Sequence, residues 1–144
     1  MKRTLAIGDI HGGFKALKQV LERAAVTEND TLIFLGDYVD GWSESSEVIR
    51  FLIDLAEKQE CIFIKGNHDA WTEDWLAFGK SEDVWLFNGG KSTVESYSDF
   101  SLEELEVHLE FFQRMKNYYV DDKNRLFIHA GYSLVMVGRF FLLF

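Results

Sequence analysis

Three of the four histidines in this chain stand in short motifs with Gly, Asp or Asn beside them: Gly8-Asp9-Ile10-His11-Gly12, Gly66-Asn67-His68-Asp69 and His129-Ala130-Gly131. A fourth cluster, Gly36-Asp37-Tyr38-Val39-Asp40-Gly41, adds two carboxylates. Carboxylate, carboxamide and neutral imidazole are the donors that a pair of hard-to-borderline divalent metal ions takes. On donor type alone, His68 counts as a ligand alongside Asp9, His11, Asp37, Asn67 and His129. The flanking glycines let the backbone turn sharply and approach a site closely. One Gly-Asp pair is ordinarily a turn. Four such segments with Asp, His, Asp, Asn and His at their disposal point to a site.

Each motif follows a predicted strand. Thr4-Leu5-Ala6-Ile7, the apolar run from Thr31 to Leu35, Cys61-Ile62-Phe63-Ile64 and Leu126-Phe127-Ile128 are the four. Between them, Phe14, Leu17, Val20, Leu21 and Ala24 recur at helical spacing. A second helix is expected from Ser43 to Lys58, with Val48, Phe51, Leu52 and Leu55 on one face. Continuous apolar strands alternating with helices imply a parallel sheet. Asp9, Asp37 and Asn67 lie 28 and 30 residues apart, which suits successive βαβ units. In such sheets ligands bind at the carboxyl ends of the strands, where all four motifs are expected. Further on, 70–78 is read as a helix carrying Trp71 and Trp75. Val84-Trp85-Leu86-Phe87 is a short apolar stretch before an Asn88-Gly89-Gly90 turn. Ser101-Leu102-Glu103-Glu104 is a capping box opening a helix to about Lys116. His108 on that helix is read as solvated or at the core edge. Asp69 is read as a helix cap, and Trp42, Trp71 and Trp75 as core or a partly exposed lid in preference to the lining of a substrate groove.

The chain has 144 residues, 47% of them hydrophobic, enough for one domain with a packed core. A net charge of −9 repels phosphate backbones and argues against nucleic-acid binding. The single cysteine, Cys61, rules out an internal disulfide framework and is read as a small buried hydrophobe. No apolar run reaches membrane-spanning length, so no membrane partner is expected. The opening Met1-Lys2-Arg3 enters a strand with no secretory apolar stretch, and a cytoplasmic location is the expectation. There is no proline, so turns rest on Gly, Asn, Asp and Ser.

Taken together, the motifs resemble those of the calcineurin-like metallophosphoesterases, and specifically the phosphoprotein (serine/threonine) phosphatase branch of bacterial type. That branch is marked by Gly-Asp-x-His-Gly, Gly-Asp-Tyr-Val-Asp-Arg-Gly, Gly-Asn-His-Glu and His-Gly-Gly. Here Gly8 to Gly12 is intact, and Gly36 to Asp40 is followed by Gly41-Trp42 in place of Arg-Gly. Gly66-Asn67-His68 is followed by Asp69, and His129-Ala130-Gly131 stands for the last motif, both as in diadenosine-tetraphosphate hydrolases. The segment Trp85 to Tyr97 is similar to a Gly-Gly, Thr, Ser-Tyr pattern of bacterial members. The resemblance covers Thr4 to about Tyr132. It implies an α/β fold, the metallo-dependent phosphatase-like α/β/β/α sandwich.

The resemblance also implies roles and cofactors. Two divalent metal ions are expected, Mn first, with Fe, Zn or Mg admitted by the same donors. Asp9 and His11 would hold one, Asn67 and His129 the other, and Asp37 would bridge them. A water activated between the metals would attack phosphorus in line. His68 would then be no ligand but the general acid on the leaving group, oriented by Asp40. The partner is a phosphorylated substrate. A phosphomonoester, as in a phosphoserine or phosphothreonine protein, is favoured by Tyr38-Val39-Asp40. A dinucleoside polyphosphate is the alternative, favoured by Asp69, Ala130 and the replaced Arg. A third reading is an impaired metal-binding remnant or interaction module.

Two departures set further expectations. Gly41 cannot give the bidentate phosphate contact of a guanidinium. The family also supplies one more ligand histidine, and a second half of the sandwich, well beyond the His129 motif. The chain is therefore read as a domain over residues 1–132, lacking much of the C-terminal half. Residues 133–144 form an apolar tail, a truncation end or an association strand through which copies would self-associate.

Overall fold

The computed structural model describes residues 2–131 in full and, beyond them, the backbone of strands 134–137 and 140–143. Strands β1 (Thr4–Ile7), β2 (Thr31–Phe34) and β3 (Cys61–Phe63) form a parallel sheet in the order β1-β2-β3. The crossovers are helices α1 (Phe14–Arg23) and α2 (Ser45–Ala56). β2 is the central strand and all four of its residues are buried, which is why its sequence is continuously apolar after Thr31. α2 turns Val48, Ile49 and Leu52 onto the sheet, each without solvent exposure. Each buried aliphatic side chain of this kind contributes roughly 2 kcal/mol. Leu17 of α1 and Phe112 and Met115 near the end of a later helix complete the same core.

The chain then leaves the βαβ pattern. Helix α3 (Asn67–Phe78) starts at the second glycine motif and ends at Gly79, whose φ of 66° provides the left-handed cap. Two helical pieces, α4 (Asp83–Trp85) and α5 (Lys91–Ser96), are joined through a π-type turn over Leu86–Gly90. The turn expected at Asn88-Gly89 is real, since both residues have non-helical backbone angles, but it is embedded between helices. Helix α6 (Leu102–Arg114) carries the expected capping box: Glu104 N–H donates to Ser101 Oγ and Ser101 N–H donates to Glu104 Oε2.

His108 of α6 is neither solvated nor at the core edge; it is buried, and its Nδ1 lies 2.9 Å from Tyr97 Oη. Burial pushes its pKa down to about 4. Cys61 is half-buried and burial raises its thiol to about 11, so it is a protonated core group.

The fourth predicted strand, β5 (Leu126–Ile128), is not a further parallel strand. It pairs antiparallel with β4 (Tyr118–Val120), a strand the sequence pattern did not reveal. Continuity with the parallel sheet comes from a single bridge. Lys65 N–H donates to Lys116 O and Lys116 N–H donates to Phe63 O, so the chain leaving α6 runs beside the end of β3 into β4. His129 thus arrives at the same end of the sheet by a different route. Strands β6 (Leu134–Val137) and β7 (Phe140–Leu143) pair antiparallel with each other. The expected self-association of the tail rests on side chains that lie outside the described residues. Among the described residues no helix is long and apolar enough to cross a membrane.

Candidate functional site

The loops after β1, β2 and β3 converge because they are hydrogen-bonded to one another. Ile10 and His11 N–H groups both donate to Asp37 O, and Gly12 N–H donates to Tyr38 O. Asp69, buried in the first turn of α3, accepts from Asp37 N–H at 2.7 Å, Tyr38 N–H at 2.9 Å and Gly66 N–H at 2.8 Å. It is the expected helix cap, and it also clamps the second loop onto the third. Burial pushes its carboxyl up to about 6, against the pull of those three donors.

Among the described residues five non-glycine residues have positive φ, and three of them are His11, Asp37 and Asp40. Left-handed backbone at such residues costs on the order of 1 kcal/mol or more each and is held only where the surroundings over-determine it. Two glycines make the close approach possible. At Gly36, whose φ is 107°, a Cβ would lie 2.8 Å from His129 Nδ1. At Gly66 it would lie 2.1 Å from Asp37 Oδ1.

At the centre is the Asp37 carboxylate. Its Oδ2 is 3.9 Å from His11 Nε2 and 3.2 Å from His129 Nε2, and Asp9 Oδ2 is 3.9 Å from the same His11 nitrogen. His11 Nδ1 lies 3.1 Å from Val39 O, and His129 Nδ1 lies 2.9 Å from Leu35 O. A carbonyl only accepts, so in the neutral imidazoles the proton sits on Nδ1. The Nε2 lone pairs then face carboxylate oxygen. Acceptors converging on acceptors call for a cation, and this second contact through Nδ1 is how ligating histidines are oriented. The donor set therefore fits divalent metal ions.

His68 is held differently. Its Nδ1 lies 2.6 Å from Asp40 Oδ2, and its ring meets that of His11 edge-on at 5.0 Å. Ligand atoms of His11, Asp37 and His68 all fall within 4.8 Å of one another, so proximity alone would count His68 as a ligand. The partner on Nδ1 argues otherwise: a carboxylate stabilises the imidazolium that a proton donor must carry, which a backbone carbonyl does less well. Asn67 is the first residue of α3, exposed, beside His68. It enters the group by position, with no side-chain hydrogen bond among the described residues.

Residues to which the sequence gave no role also belong here. Asp40 is completely buried and accepts from Trp85 Nε1 and Thr93 Oγ1 as well as facing His68. Both partners come from the 83–96 segment. Trp71 meets the His68 ring edge-on, and Trp75 packs on Trp85 and Tyr97, as core or lid residues would. Trp42 is not core: it is 71% exposed, beside the His11 loop, with its backbone N–H donating to His11 O.

The ends of the parallel strands and of β5 gather a central carboxylate, two imidazoles and an Asp–His pair, a donor set fit for divalent metal ions. Over residues 2–142 the chain matches the calcineurin-like phosphoesterases, and it belongs to that family of metal-dependent enzymes. It is 24% identical over 147 residues to an asymmetrical bis(5'-nucleosyl)-tetraphosphatase of Oceanobacillus iheyensis, covering 92% of this chain and 58% of that protein. It is 29% identical over 106 residues to serine/threonine-protein phosphatase 2 of Escherichia coli, covering 73% of this chain and 46% of that protein. A solved structure with a provisional assignment as a diadenosine tetraphosphatase superposes with a TM-score of 0.64 at 23% identity, covering 91% of this chain and 55% of the other. The chain spans about half the length of these relatives.

Proposed function

We propose that this chain hydrolyses a phosphoric anhydride, with a dinucleoside polyphosphate as substrate. What carries the hydrolytic reading is the Asp37 carboxylate lying between His11 Nε2 and His129 Nε2, with the Asp40–His68 pair alongside. Asp9, His11 and Asp37 would hold one divalent cation, and Asp37, Asn67 and His129 a second. Such cations supply positive charge against phosphoryl oxygens and acidify water. His68 would give its Nε2 proton to the departing oxygen and be left neutral, while Asp40 holds Nδ1–H and steadies the imidazolium before the proton leaves.

The choice of substrate departs from the sequence-based preference for a phosphoprotein. That preference rested on Tyr38-Val39-Asp40, but Tyr38 and Val39 have no solvent exposure and Tyr38 Oη donates to Ile64 O at 2.7 Å. Tyr38 and Val39 therefore serve packing and touch no substrate, and Asp40 faces His68 whatever the substrate. Three features support the dinucleotide. The Oceanobacillus iheyensis relative is named for that activity. Gly41 stands where the phosphatase branch has Arg. The exposed Trp42 offers a flat apolar face at the rim, on which a nucleobase stacks well. The Escherichia coli relative supports the phosphoprotein reading.

The test is Mn²⁺-dependent turnover of diadenosine tetraphosphate against a phosphoserine peptide. Expected are faster turnover of the dinucleotide, and a loss of about a hundredfold or more in His68→Ala with Mn²⁺ binding kept. Faster turnover of the peptide would reverse the substrate choice.

A further inference from the structure

The segment 83–96 is absorbed by none of the roles above, yet it supplies every partner of Asp40 beyond the β2 loop, Ser45 and His68. Asp40 Oδ2 receives Trp85 Nε1–H at 2.7 Å as well as facing His68 Nδ1 at 2.6 Å. Its Oδ1 receives Thr93 Oγ1–H at 2.6 Å. Its own N–H donates to Thr93 Oγ1 at 2.9 Å and to Ser45 Oγ at 3.1 Å. The proton bookkeeping closes. Thr93 spends its one proton on the carboxylate, so Ser45 donates across the 2.9 Å contact between the two hydroxyls.

We propose that Trp85 and Thr93 are positioning residues for His68, acting through Asp40. A buried carboxylate with one partner is free to rotate about χ2 and is costly to desolvate. With donors on both oxygens Asp40 has one orientation, and the His68 ring inherits it. Its Nδ1–H is then committed to Asp40, and Nε2 is the ring nitrogen left to carry the transferable proton. The backbone is arranged for this. Asp40 itself has φ 71°, and at Gly90 a Cβ would fall 2.5 Å from Trp85 Nε1. Only glycine at 90 lets the indole N–H reach inward. Gly41 N–H also donates to Gly89 O, tying the two segments a second time.

This rests on the reading of His68 as proton donor, and leaving-group dependence tests it. A general acid matters for a poor leaving group and little for a good one. In the Mn²⁺-loaded chain, Trp85→Phe and Thr93→Val are expected to lose about tenfold or more in kcat/KM on phenyl phosphate and about twofold or less on 2,4-dinitrophenyl phosphate. Thr93→Ser, which keeps the hydroxyl, should restore most of the loss. Equal losses on both esters would overturn the proposal, because a merely structural defect depresses all substrates alike. A second readout needs no turnover: ¹⁵N NMR of His68 in the metal-free chain. The Nδ1–H tautomer is expected in the parent chain and a mixture in both variants. An unchanged His68 spectrum in both variants would overturn the proposal. Should the parent chain hydrolyse neither these esters nor diadenosine tetraphosphate, the reading of the function fails, and the NMR comparison still decides whether Trp85 and Thr93 position His68.

Discussion

Gly66 shows how little space separates the residues that meet at Asp37. Its φ of −91° is open to any residue, so the constraint is contact and not backbone. A Cβ would press on Asp37 Oδ1 at 2.1 Å and on Asp37 N at 2.6 Å. Gly66→Ala is expected to displace Asp37, cost about 1–3 kcal/mol of stability and abolish Mn²⁺ binding in calorimetric titration. Gly8→Ala, where nothing lies within 4 Å of the new carbon, is the matched control and should bind as the parent does. Gly66→Ala with parental affinity would mean that Asp37 is no ligand. Trp42 makes the opposite case, a large side chain with little holding it. Trp42→Ala should raise KM for diadenosine tetraphosphate about tenfold, the value of one stacked base, with a smaller change for p-nitrophenyl phosphate. An equal change for both would place Trp42 in the scaffold. At this scale the sequence was informative where chemistry and motif coincide, as at His11, Asp37 and His68. It placed Trp85 and Thr93 in a segment similar to bacterial members but gave neither a role. Their partner Asp40 lies 45 and 53 residues away, and neither residue type advertises a carboxylate contact.

Among the elements, the loop after β2 and the start of α3 are joined by Asp69. A carboxylate serves three N–H donors with two oxygens. An amide offers one oxygen and turns an NH₂ toward the donors. Asp69→Asn is therefore expected to cost about 2–3 kcal/mol, lowering the urea midpoint with little change in slope. A parental midpoint would show that water replaces the clamp. Helix α6 carries a second dependence, on pH. His108 titrates near 6.5 in an unfolded chain and is pushed down to about 4 by burial against Tyr97 and Phe100. The unfolded state thus takes up its proton first as pH falls. Stability is full above about pH 6.5 and declines toward pH 4, on the order of 3 kcal/mol in all. His108→Gln should flatten that part of the profile in melts from pH 7 to 4, and an unaltered slope would assign it to other groups. The βαβ elements were legible because burial on both faces writes itself as unbroken apolar runs and crossover helices as a 3.6 period. β4 was not, since its three residues alternate between exposed and half-buried. The direction of β5 was not either. A short apolar run reads the same in parallel and antiparallel pairing, and only its pairing with β4 decides it.

For the whole molecule, the site is a liability that a cation converts into stability. A net charge of −9 already opposes compaction, and the fold adds converging acceptors at Asp9, His11, Asp37 and His129. In the unfolded chain these groups are dispersed over 120 residues and bind a divalent ion weakly, so the ion favours the native state by mass action. At a hundredfold excess over Kd this amounts to about 2.7 kcal/mol. For a chain of this length that corresponds to a rise in melting temperature of about 9 °C with Mn²⁺ over NaCl of equal ionic strength. The salt control removes general screening of the negative charge, which any ion provides. Asp37→Asn is the decisive variant. Its remaining carbonyl can still accept from His68 N–H, as Asp37 Oδ1 does at 3.1 Å, while its NH₂ turns a repelled oxygen into a donor for the imidazole lone pairs. Without metal the variant should therefore melt at or above the parent temperature, and with Mn²⁺ it should gain no more than NaCl gives. A variant that melts lower without metal would show that Asp37 is held for the fold. One that keeps the full Mn²⁺ gain would place the ion elsewhere on the acidic surface.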